Sequence, residues 1–308
     1  MNGLLTTVLL PLVGIALIWV FDASRNAARW IALLTSLVTL AAAAWLLNAF
    51  VSDLGAESLV AFDRPWIDSY GVEVRFALAL DGLSVWLFGL SALLTLTCVL
   101  VSWEAIEDRA PTFYALLLLL ETGMLGVFVA RDLIMFYVFF EFTLIPLFFL
   151  IGMWGHEERR YAAVKFFLFT FAGSVLTFLG LLSIVLWNFY HGAAGVLDFS
   201  FAGVSEALAS HPIRPDLQWW IFLALFAGFA IKVPLFPLHT WLPLAHTQAP
   251  TAGSVLLAGI LLKVGAYGFV RFSLPMLPDA AIACMPWLLA LSVAGIVYGA
   301  LVALAQSD

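Results

Sequence analysis

The sequence predicts an all-α integral membrane protein, built as a polytopic bundle of transmembrane helices, and three observations support this fold class. First, 64% of the 308 residues are apolar and only 11% are charged, whereas a soluble domain is about half apolar and about a quarter charged. Second, the apolar residues form long runs, and an α-helix needs about 20 apolar residues to cross a bilayer. Third, no alternating β-barrel pattern runs through the chain, and open strands cannot satisfy their backbone polar groups in lipid.

Nine apolar runs are candidate transmembrane helices, and together they make residues 1–308 a single membrane domain. The runs are residues 4–21, 30–51, 82–102, 113–130, 133–154, 166–187, 219–238, 252–272 and 287–305. Several of them begin or end with Trp, which is enriched where a membrane meets water. Most connections are short, so neighbouring helices are expected to form antiparallel hairpins.

Two connections are long enough to hold structure of their own. In residues 52–80, the turn sequence at 68–71 precedes an alternation of apolar residues over 72–78. This pattern predicts a short β-hairpin over one end of the bundle. In residues 188–218, a short helix is predicted near 204–210.

Several classes of function are excluded by what the sequence lacks. The net charge is −7 and there is no basic patch, which argues against nucleic acid as a partner. Cys98 and Cys284 lie far apart in apolar runs, and they are expected to be small core residues rather than a disulfide, metal or iron–sulfur site. Because there is no Walker A loop, dinucleotide-binding glycine motif, haem motif or zinc motif, the chain itself is expected to bind no cofactor and no metal.

Basic residues in the connecting loops predict the orientation of the chain. Alternate loops place one group of basic residues on one face of the membrane and a second group on the other. The first group is Arg25, Arg29, Arg109, Arg159, Arg160 and Lys165, and the second is Arg64, Arg75, Arg131, Arg214 and Arg271. The first group is concentrated in short loops, so the positive-inside rule puts that face in the cytoplasm and the N-terminus outside.

Four ionisable side chains fall in the middle of predicted spans, and they are the strongest indication of function. These residues are Glu121, Glu141, Lys232 and Lys263. An ionised group at the centre of a transmembrane helix costs about 2.5–3.5 kcal/mol, and such residues almost always face the bundle interior or a water-filled cavity. Together the four would cost on the order of 10 kcal/mol unless paired or hydrated, which is comparable to the net stability of a domain.

The spacing of the two glutamates places both near the middle of the membrane. Glu121 precedes Arg131 by ten residues and Glu141 follows it by ten, and Arg131 lies in the turn between two spans. At a rise of about 1.5 Å per residue, each carboxylate lies about 15 Å from the turn. That distance is about half the thickness of the hydrocarbon core.

A proline-rich stretch directly follows Lys232. Pro234, Pro237 and Pro243 cannot share one unbroken helix, because each removes a backbone hydrogen bond and kinks the axis. Pro234 and Pro237 therefore predict a helix break, and broken helices at membrane depth mark ion or substrate paths in transporters.

Two histidines and Glu121 are possible relay residues. His239 and His246 follow Lys232 at intervals of seven residues, which would align them on one helix face if prolines did not interrupt it. For His239, a proton-relay role and a packed, hydrogen-bonded role are both open. The role of His246 is open as well, because it lies near the end of the span.

Other charged residues have simpler interpretations. Lys165 lies just outside an apolar run, and its side chain is expected to reach the membrane interface. Asp81 precedes Gly82 and Ser84 at a helix start, where a carboxylate caps free N–H groups.

A glutamate beside a buried lysine has properties suited to moving protons. The carboxylate stabilises the ammonium, and separating the two groups releases the proton of the lysine. On this basis Glu141, Lys232 and Lys263 are the expected proton-translocating residues. The alternative is a static ion pair that only holds two helices together.

The residues around these sites resemble a known family. The segments that carry the resemblance are 139–142 (Phe-Phe-Glu-Phe), 151–155 (Ile-Gly-Met-Trp-Gly), 165–167 (Lys-Phe-Phe), 230–243 (Ala-Ile-Lys-Val-Pro-Leu-Phe-Pro-Leu-His-Thr-Trp-Leu-Pro), 249–255 (Ala-Pro-Thr-Ala-Gly-Ser-Val) and 258–263 (Ala-Gly-Ile-Leu-Leu-Lys). They resemble the antiporter-like chain M, of the mitochondrial subunit 4 type, in proton-translocating NADH:quinone oxidoreductase (respiratory complex I). The similarity covers essentially the whole chain, and residues 230–263 are its most specific part.

The resemblance implies a fourteen-span subunit with antiporter-like inverted repeats of five helices, of which residues 113–272 form the first. It also implies that Glu141 of span five pairs with Lys232 of span seven, and that Lys263 of span eight carries the proton onward. Because the family continues past residue 308, we expect the chain to be the N-terminal part of a longer one, and a true nine-span protein is the alternative. Two departures from the family pattern are Leu244, where many members have Asp, and Gln248, where some have Glu.

The resemblance further implies a proton-translocating subunit of an oxidoreductase, without a redox centre of its own, in a bacterial inner membrane. NADH, FMN, iron–sulfur clusters and quinone are expected in partner subunits. The expected partners are other membrane subunits, especially neighbouring antiporter-like ones, and the lipid bilayer. One alternative is a subunit of a multisubunit cation/proton antiporter or of a membrane-bound hydrogenase, and a more distant one is a membrane scaffold that transports nothing.

Overall fold

The structure is a computed structural model, and it describes residues 3–52, 61–192 and 195–306. The predicted membrane domain, residues 1–308, includes residues 307 and 308, which lie outside this range. Helices α1 (Gly3–Val20) and α2 (Arg25–Ser52) open the chain and pack against each other.

The predicted β-hairpin is confirmed. Strand β1 (Ala61–Ser69) pairs antiparallel with β2 (Val72–Ala79). Tyr70 and Gly71, between the strands, have φ angles of 53° and 75°, because a tight two-residue hairpin turn requires positive φ at both central positions. A third strand, β3 (Leu197–Asp198), pairs parallel to β2, and the sequence did not predict it.

Helix α4 is the centre of the bundle. It follows α3 in the chain, and α5, α6 and α7 come after it; the bounds are α3 Ser84–Ala105, α4 Ala110–Val129, α5 Leu133–Phe142, α6 Leu144–Trp154 and α7 Arg159–His191. In the most apolar part of α4, 83% of the residues are buried. The helix contacts α1, α2, α3, α5 and α6. A helix surrounded in this way needs no polar face, and α4 is apolar on almost every side.

The second half of the described chain contains a broken helix and a helix with two wider π turns. Helix α8 (Phe201–Ser210) confirms the predicted short helix, and α9 (Pro215–Lys232) and α10 (Leu242–Gln248) are the two parts of the broken helix. The next span consists of α11 (Thr251–Leu256), a π turn (Leu257–Leu261), α12 (Leu262–Gly268), a second π turn (Phe269–Ser273) and α13 (Leu274–Met276). The last helix is α14 (Pro278–Ala305).

Within the described residues, eight helical segments are long and apolar enough to cross a membrane. They coincide with eight of the nine predicted runs, and the exception is residues 219–238. There the helix ends at Lys232 rather than at Leu238, because Pro234 and Pro237 interrupt it. The predicted end of this span is therefore wrong, although the helix breaks where the prolines indicate.

Helices α7 and α9 pack closely through glycines. A side-chain carbon added to Gly173 would lie 3.4 Å from the Cα of Gly228, and one added to Gly180 would lie 2.7 Å from Leu225 Cδ2. In lipid the hydrophobic effect does not drive helices together, so close contact between small residues supplies the van der Waals attraction. This packing holds α9, and Lys232 at its end, against α7.

Candidate functional site

Glu141 lies at a break in a membrane-spanning helix. Helix α5 ends at Phe142, and α6 begins two residues later. Pro146 has no N–H to donate to the carbonyl of Phe142 four residues earlier, so the regular ladder of hydrogen bonds stops here. Thr143, between the two helices, donates its hydroxyl to the Phe140 carbonyl at 2.8 Å.

Lys232 is the last residue of α9 and is only 6% exposed. Its ammonium lies 4.1 Å from the centre of the Phe140 ring, in a cation–π contact with the residue next to Glu141. The C-terminal end of a helix carries a partial negative charge that also favours a cation. Trp241 caps this end by donating its indole N–H to the Ile231 carbonyl at 3.0 Å.

Glu141 and Lys232 attract each other without forming a direct ion pair. The carboxylate and the ammonium interact electrostatically. Within the described residues, however, their charged atoms do not approach to the 4.0 Å of a direct ion pair. Glu141 Oε1 is buried without a hydrogen-bond partner, and the hydroxyl of Ser174 on α7 interacts with the same carboxylate. The two groups are therefore close enough to influence each other, although they do not form a direct ion pair.

A small cavity adjoins Lys232. Its volume is about 10 Å³, close to the least space that one water molecule occupies. Thr143 and Thr170 line it together with Trp241. The two threonine hydroxyls donate to carbonyls of the preceding helical turn at 2.8 and 2.7 Å, so their oxygens keep lone pairs that can accept a proton donor in the cavity.

Lys263 does not face the interior of the described bundle, and this part of the prediction is corrected. It is exposed, two residues after the π turn at Leu257–Leu261, and its ammonium donates to the Ala258 carbonyl at 3.0 Å. The opposite side of α12 packs on α9, where a side-chain carbon on Gly265 would lie 3.0 Å from Lys232 Cβ. Two residues rotate a helix by about 200°, so turning Gly265 towards α9 turns Lys263 away from it.

Glu121 is completely buried near the middle of α4, with 0% exposure. Both of its carboxylate oxygens are buried, and neither has a hydrogen-bond partner among the residues that the structure describes. The helix is regular around it, in contrast to the break beside Glu141. Its burial agrees with the expectation that an ionisable residue in the middle of a span faces the bundle interior.

The two histidines do not share a helix face. His239 lies between α9 and α10, where its ring stacks on Phe236 with 5.6 Å between centres, and its Nδ1 is buried without a partner. His246 lies in α10, and its backbone carbonyl accepts a hydrogen bond from the Ser254 hydroxyl at 3.1 Å. The helix break explains why the spacing of seven residues does not align them.

Gln248 and Leu244, the two departures from the family pattern, both contact other parts of the described chain. The Gln248 side-chain oxygen accepts from the backbone N–H of Glu158 at 2.8 Å, and its backbone carbonyl accepts from His156 N–H at 2.9 Å. These bonds fasten the α6–α7 loop to α10. Leu244 is partly buried against the hydrophobic core.

Asp81 joins three elements at the end of the bundle that carries the β-hairpin. One carboxylate oxygen accepts from the backbone N–H groups of Leu83 and Ser84 at 3.2 and 2.8 Å, which confirms the predicted cap of α3. The other oxygen pairs with Arg131 of the α4–α5 turn at 3.1 Å, and with Arg271 of the second π turn.

Burial alone would raise the pKa of Asp81, but the charge of Arg131 and the hydrogen bond from Arg271 hold it well below its usual value. Sequence reasoning identified only the helix cap. It could not find the ion pairs, because Asp81 and Arg271 are 190 residues apart.

The fold and the site define a class of polytopic membrane protein with ionisable groups inside the helix bundle. Two of its membrane-spanning helices are broken, one beside a partly buried acid and the other beside a buried base. Among the described residues, no group of three or more His, Cys, Asp or Glu side chains is placed to hold a metal ion. The model of the family described as NADH:quinone oxidoreductase/Mrp antiporter, TM matches residues 130–308. The chain belongs to this family, which confirms the resemblance seen in the sequence.

Proteins similar to this chain come from respiratory complexes. NADH-quinone oxidoreductase subunit M of Pseudomonas aeruginosa is 40% identical over 98% of this chain and 60% of its own length. A chain of respiratory complex I from Thermus thermophilus with bound NADH is 35% identical, with a TM-score of 0.82 over 99% of this chain and 60% of that one. A chain of the membrane-bound sulfane sulfur reductase, an archaeal respiratory membrane complex, is 25% identical, with a TM-score of 0.74 over 92% of this chain and 42% of that one. The chain thus spans 60% of the length of its subunit M relative.

Proposed function

We propose that this chain is a proton-translocating membrane subunit of an NADH:quinone oxidoreductase, and that Glu141, Lys232 and Lys263 carry the proton. The observation that carries the proposal is a partly buried acid and a buried lysine that attract each other across two helix breaks without a direct ion pair. The similarity to subunit M of P. aeruginosa and to a chain of T. thermophilus complex I supports it.

In this mechanism the separation of Glu141 and Lys232 controls the proton on the lysine. When the carboxylate approaches, it stabilises the ammonium, and Lys232 holds its proton. When the carboxylate withdraws, the Phe140 ring and the apolar walls compensate the charge less well, because a buried charge without its partner is costly. The ammonium then gives its proton to an acceptor and becomes a neutral amine, which is protonated again when Glu141 returns.

Groups around Lys232 support the next steps of the proposed path. Thr143 and Thr170 offer hydroxyl oxygens at the adjoining cavity. Helix α12, which carries Lys263, packs directly against α9 at Gly265. A proton released at Lys232 would pass towards this neighbouring helix, and Lys263 is the next basic acceptor in the proposed path. Because the Lys263 side chain points away from α9, the path requires a carrier between the two lysines.

Electron transfer belongs to partner subunits in this proposal. Those subunits would hold NADH, FMN, iron–sulfur clusters and quinone, because this chain has no motif for any of them. Its direct partners would be neighbouring antiporter-like membrane subunits and lipid in a bacterial inner membrane.

The test is to purify the full-length protein in its native complex, reconstitute it in vesicles and measure proton movement. We expect flavin and iron–sulfur proteins to co-purify, and NADH oxidation to drive proton movement. Absence of NADH-driven proton movement from an intact complex would contradict the proposal.

A cation/proton antiporter subunit is the second candidate, because the description of the family also includes Mrp antiporters. The same vesicles distinguish the two functions. Sodium-driven proton movement without NADH, in a preparation that lacks flavin, would favour the antiporter.

The orientation is also part of the proposal, with the N-terminus outside and Arg159 and Arg160 in the cytoplasm. A cysteine at position 159, in a background that lacks Cys98 and Cys284, should react only with reagents on the cytoplasmic side. Labelling of position 159 from outside the cell would reverse the assignment.

A further inference from the structure

Glu121 is an acidic residue that the Glu141–Lys232 path does not use. Its side chain is 0% exposed, and both carboxylate oxygens are buried without hydrogen-bond partners. The backbone gives no reason for an acid here, because α4 is regular from Ala110 to Val129. A buried polar group without a partner is rare in proteins and requires an explanation.

The residues seven positions away show which side of α4 carries Glu121. Tyr114 and Phe128 lie seven residues before and after it, and seven residues return a helix to within about 20° of the same face. Tyr114 donates its hydroxyl to the Ser102 carbonyl of α3 at 3.1 Å. The Phe128 carbonyl accepts from the hydroxyl of Tyr267 on α12 at 3.3 Å. Glu121 therefore lies on the side of α4 that faces α3 and α12.

The face of α3 at this level is lined by buried hydroxyl groups. Helices α3 and α4 are antiparallel, so stepping seven residues from the Tyr114–Ser102 contact along each helix places Glu121 opposite Thr95. Thr95 and Ser91 are both 0% exposed. Thr95 donates its hydroxyl to the Ser91 carbonyl at 2.9 Å, so its oxygen lone pairs are free to accept from a protonated carboxyl.

The same step along α12 brings Glu121 level with a π turn. Helix α4 and the span that contains α12 run in the same direction, towards the end of the bundle that carries the β-hairpin. Seven residues before the Phe128–Tyr267 contact, Glu121 is level with Ile260, in the π turn that precedes Lys263. Lys263 is three residues further on, about 4.5 Å along the helix axis. Lys263 therefore lies within one helical turn of the level of Glu121, on the span whose Tyr267 contacts the same side of α4.

We propose that Glu121 is a second proton-binding carboxyl, which releases and takes up a proton during turnover and is coupled to Lys263 rather than to Lys232. This proposal rests on the proton-translocating function proposed above and adds a second acid to it. In the resting state the carboxyl keeps its proton, because no basic group among the described residues contacts it and an unpaired buried carboxylate is costly.

The proton transfer in this proposal is balanced. The Glu121 carboxylic acid loses a proton and becomes a carboxylate, while the neutral amine of Lys263 gains one and becomes an ammonium. The Thr95 hydroxyl, after rotation or with one water, accepts a proton on one side and donates its own on the other, so it is unchanged. Reprotonation of Glu121 completes the cycle.

Difference infrared spectroscopy of the complete complex tests the proposal. Between the resting and the NADH-driven state, we expect loss of a carbonyl-stretch band of a protonated carboxyl, and a shift of this band in deuterium oxide. The band should be absent in Glu121→Gln, and pumping per assembled complex should fall at least about tenfold in this variant. Glu121→Asp, which keeps the acid, should restore part of the pumping and serves if Glu121→Gln fails to assemble.

Two matched controls separate this role from packing. Thr122 is buried beside Glu121 and bonds only to the Leu118 carbonyl of its own helix at 3.3 Å, so Thr122→Val should pump at the wild-type rate. Thr95→Val should slow pumping, whereas Thr97→Val should not, because Thr97 lies on another side of α3 and bonds to the Leu94 carbonyl. Equal effects of Thr95→Val and Thr97→Val would contradict the hydroxyl path.

Double-mutant cycles test the coupling to Lys263. The effects of Glu121→Asp and Lys263→Arg on pumping should be non-additive, and those of Glu121→Asp and Lys232→Arg should add. The reverse pattern would overturn the coupling. Wild-type pumping by Glu121→Gln with an unchanged infrared band would overturn the whole inference, and the proposed function would still stand if Glu141→Gln abolished pumping.

Discussion

The two mid-span glutamates lie ten residues on either side of the same turn, yet their surroundings differ: Glu121 is fully buried and Glu141 only partly. Glu141 lies at the end of α5, beside a helix break, where Lys232 and a hydroxyl-lined cavity are close. Glu121 lies in an unbroken helix, with no partner for either oxygen. Like Glu141, the two lysines lie beside irregular backbone: Lys232 ends a helix, and Lys263 follows a π turn.

This difference separates two ways of handling a charge in a membrane. At a helix break, backbone groups lose their regular partners and neighbouring side chains can change their separation. In the proposed mechanism, Glu141 and Lys232 use this freedom to pair and to separate. Glu121 lies in a regular helix, where we propose that only its protonation state changes. An ionisable residue inside a membrane-spanning bundle is a candidate functional residue, and the local backbone suggests how it would act.

Lys232→Met should have the largest effect of the substitutions considered. Pumping per complex should fall at least about tenfold, because the lysine that exchanges the proton is gone. The amount of assembled complex should also fall, since removing one partner of a buried charge pair costs about 3–5 kcal/mol. The measurement is NADH-driven proton movement together with the yield of complex.

Lys165→Met is the control for Lys232→Met, because Lys165 lies near the start of α7, outside the predicted span. It should change neither pumping nor yield. A similar loss in both variants would mean that Lys232 acts only through its general positive charge.

Lys263→Ala should lower pumping as strongly but lower assembly much less. Its side chain is exposed, and in the described chain its ammonium bonds only to the Ala258 carbonyl. Pumping and yield, measured on the same preparations, separate the two quantities. Wild-type pumping by Lys263→Ala would remove this residue from the path.

Asp81→Asn should mainly reduce stability, by about 1–3 kcal/mol, because Arg131 and Arg271 lose their carboxylate. Thermal unfolding measures the loss. Since the pKa of Asp81 is lowered in the folded protein, its stabilising effect is complete at neutral pH and is lost as the pH falls through the lowered pKa, below the usual range of aspartate. The difference from wild type should therefore disappear only in strongly acidic solution.

Asp216→Asn is the matched control for Asp81→Asn. Asp216 pairs with Arg214 at 3.6 Å, and both side chains are about two-thirds exposed. Exposed ion pairs contribute about 0–1 kcal/mol, so this variant should unfold almost as the wild type does. An equal loss in both variants would show that the Asp81 ion pairs contribute no more than surface charge.

Among the substitutions in the proposed proton path, Glu141→Asp should have the smallest effect, because the carboxylate is kept and retreats by only one methylene. Pumping should fall less than in Lys232→Met or Lys263→Ala, with normal assembly. A loss as complete as that of Lys232→Met would mean that the position of the carboxylate, and not only its charge, is critical.

Much of the fold follows from local patterns. Hydropathy predicts the spans, turn chemistry predicts the β-hairpin, and Pro234 and Pro237 predict the break after Lys232. The break beside Glu141 was not predicted, although Pro146 supplies a local reason for it. The π turns have no comparable local pattern, because they depend on how the 251–276 span packs against α3, α9 and the Asp81 ion pairs.

The sequence predicts which residues belong to the candidate site, but not how their side chains are arranged. The cost of burying charge identifies Glu141, Lys232, Lys263 and Glu121 from the sequence. The outward direction of Lys263 is set by Gly265 packing against α9, and one sequence does not reveal that contact.

Pumping by Glu141→Gln, normalised to assembled complex, tests the central claim most directly. The amide cannot supply the charge that stabilises the Lys232 ammonium, while a neutral lysine is tolerated in the apolar site beside Phe140. The account predicts that proton movement per complex falls strongly while the assembled amount falls much less. A static ion pair predicts instead that activity falls only in proportion to assembly. Glu141→Gln complexes that pump at the wild-type rate once normalised would contradict the account.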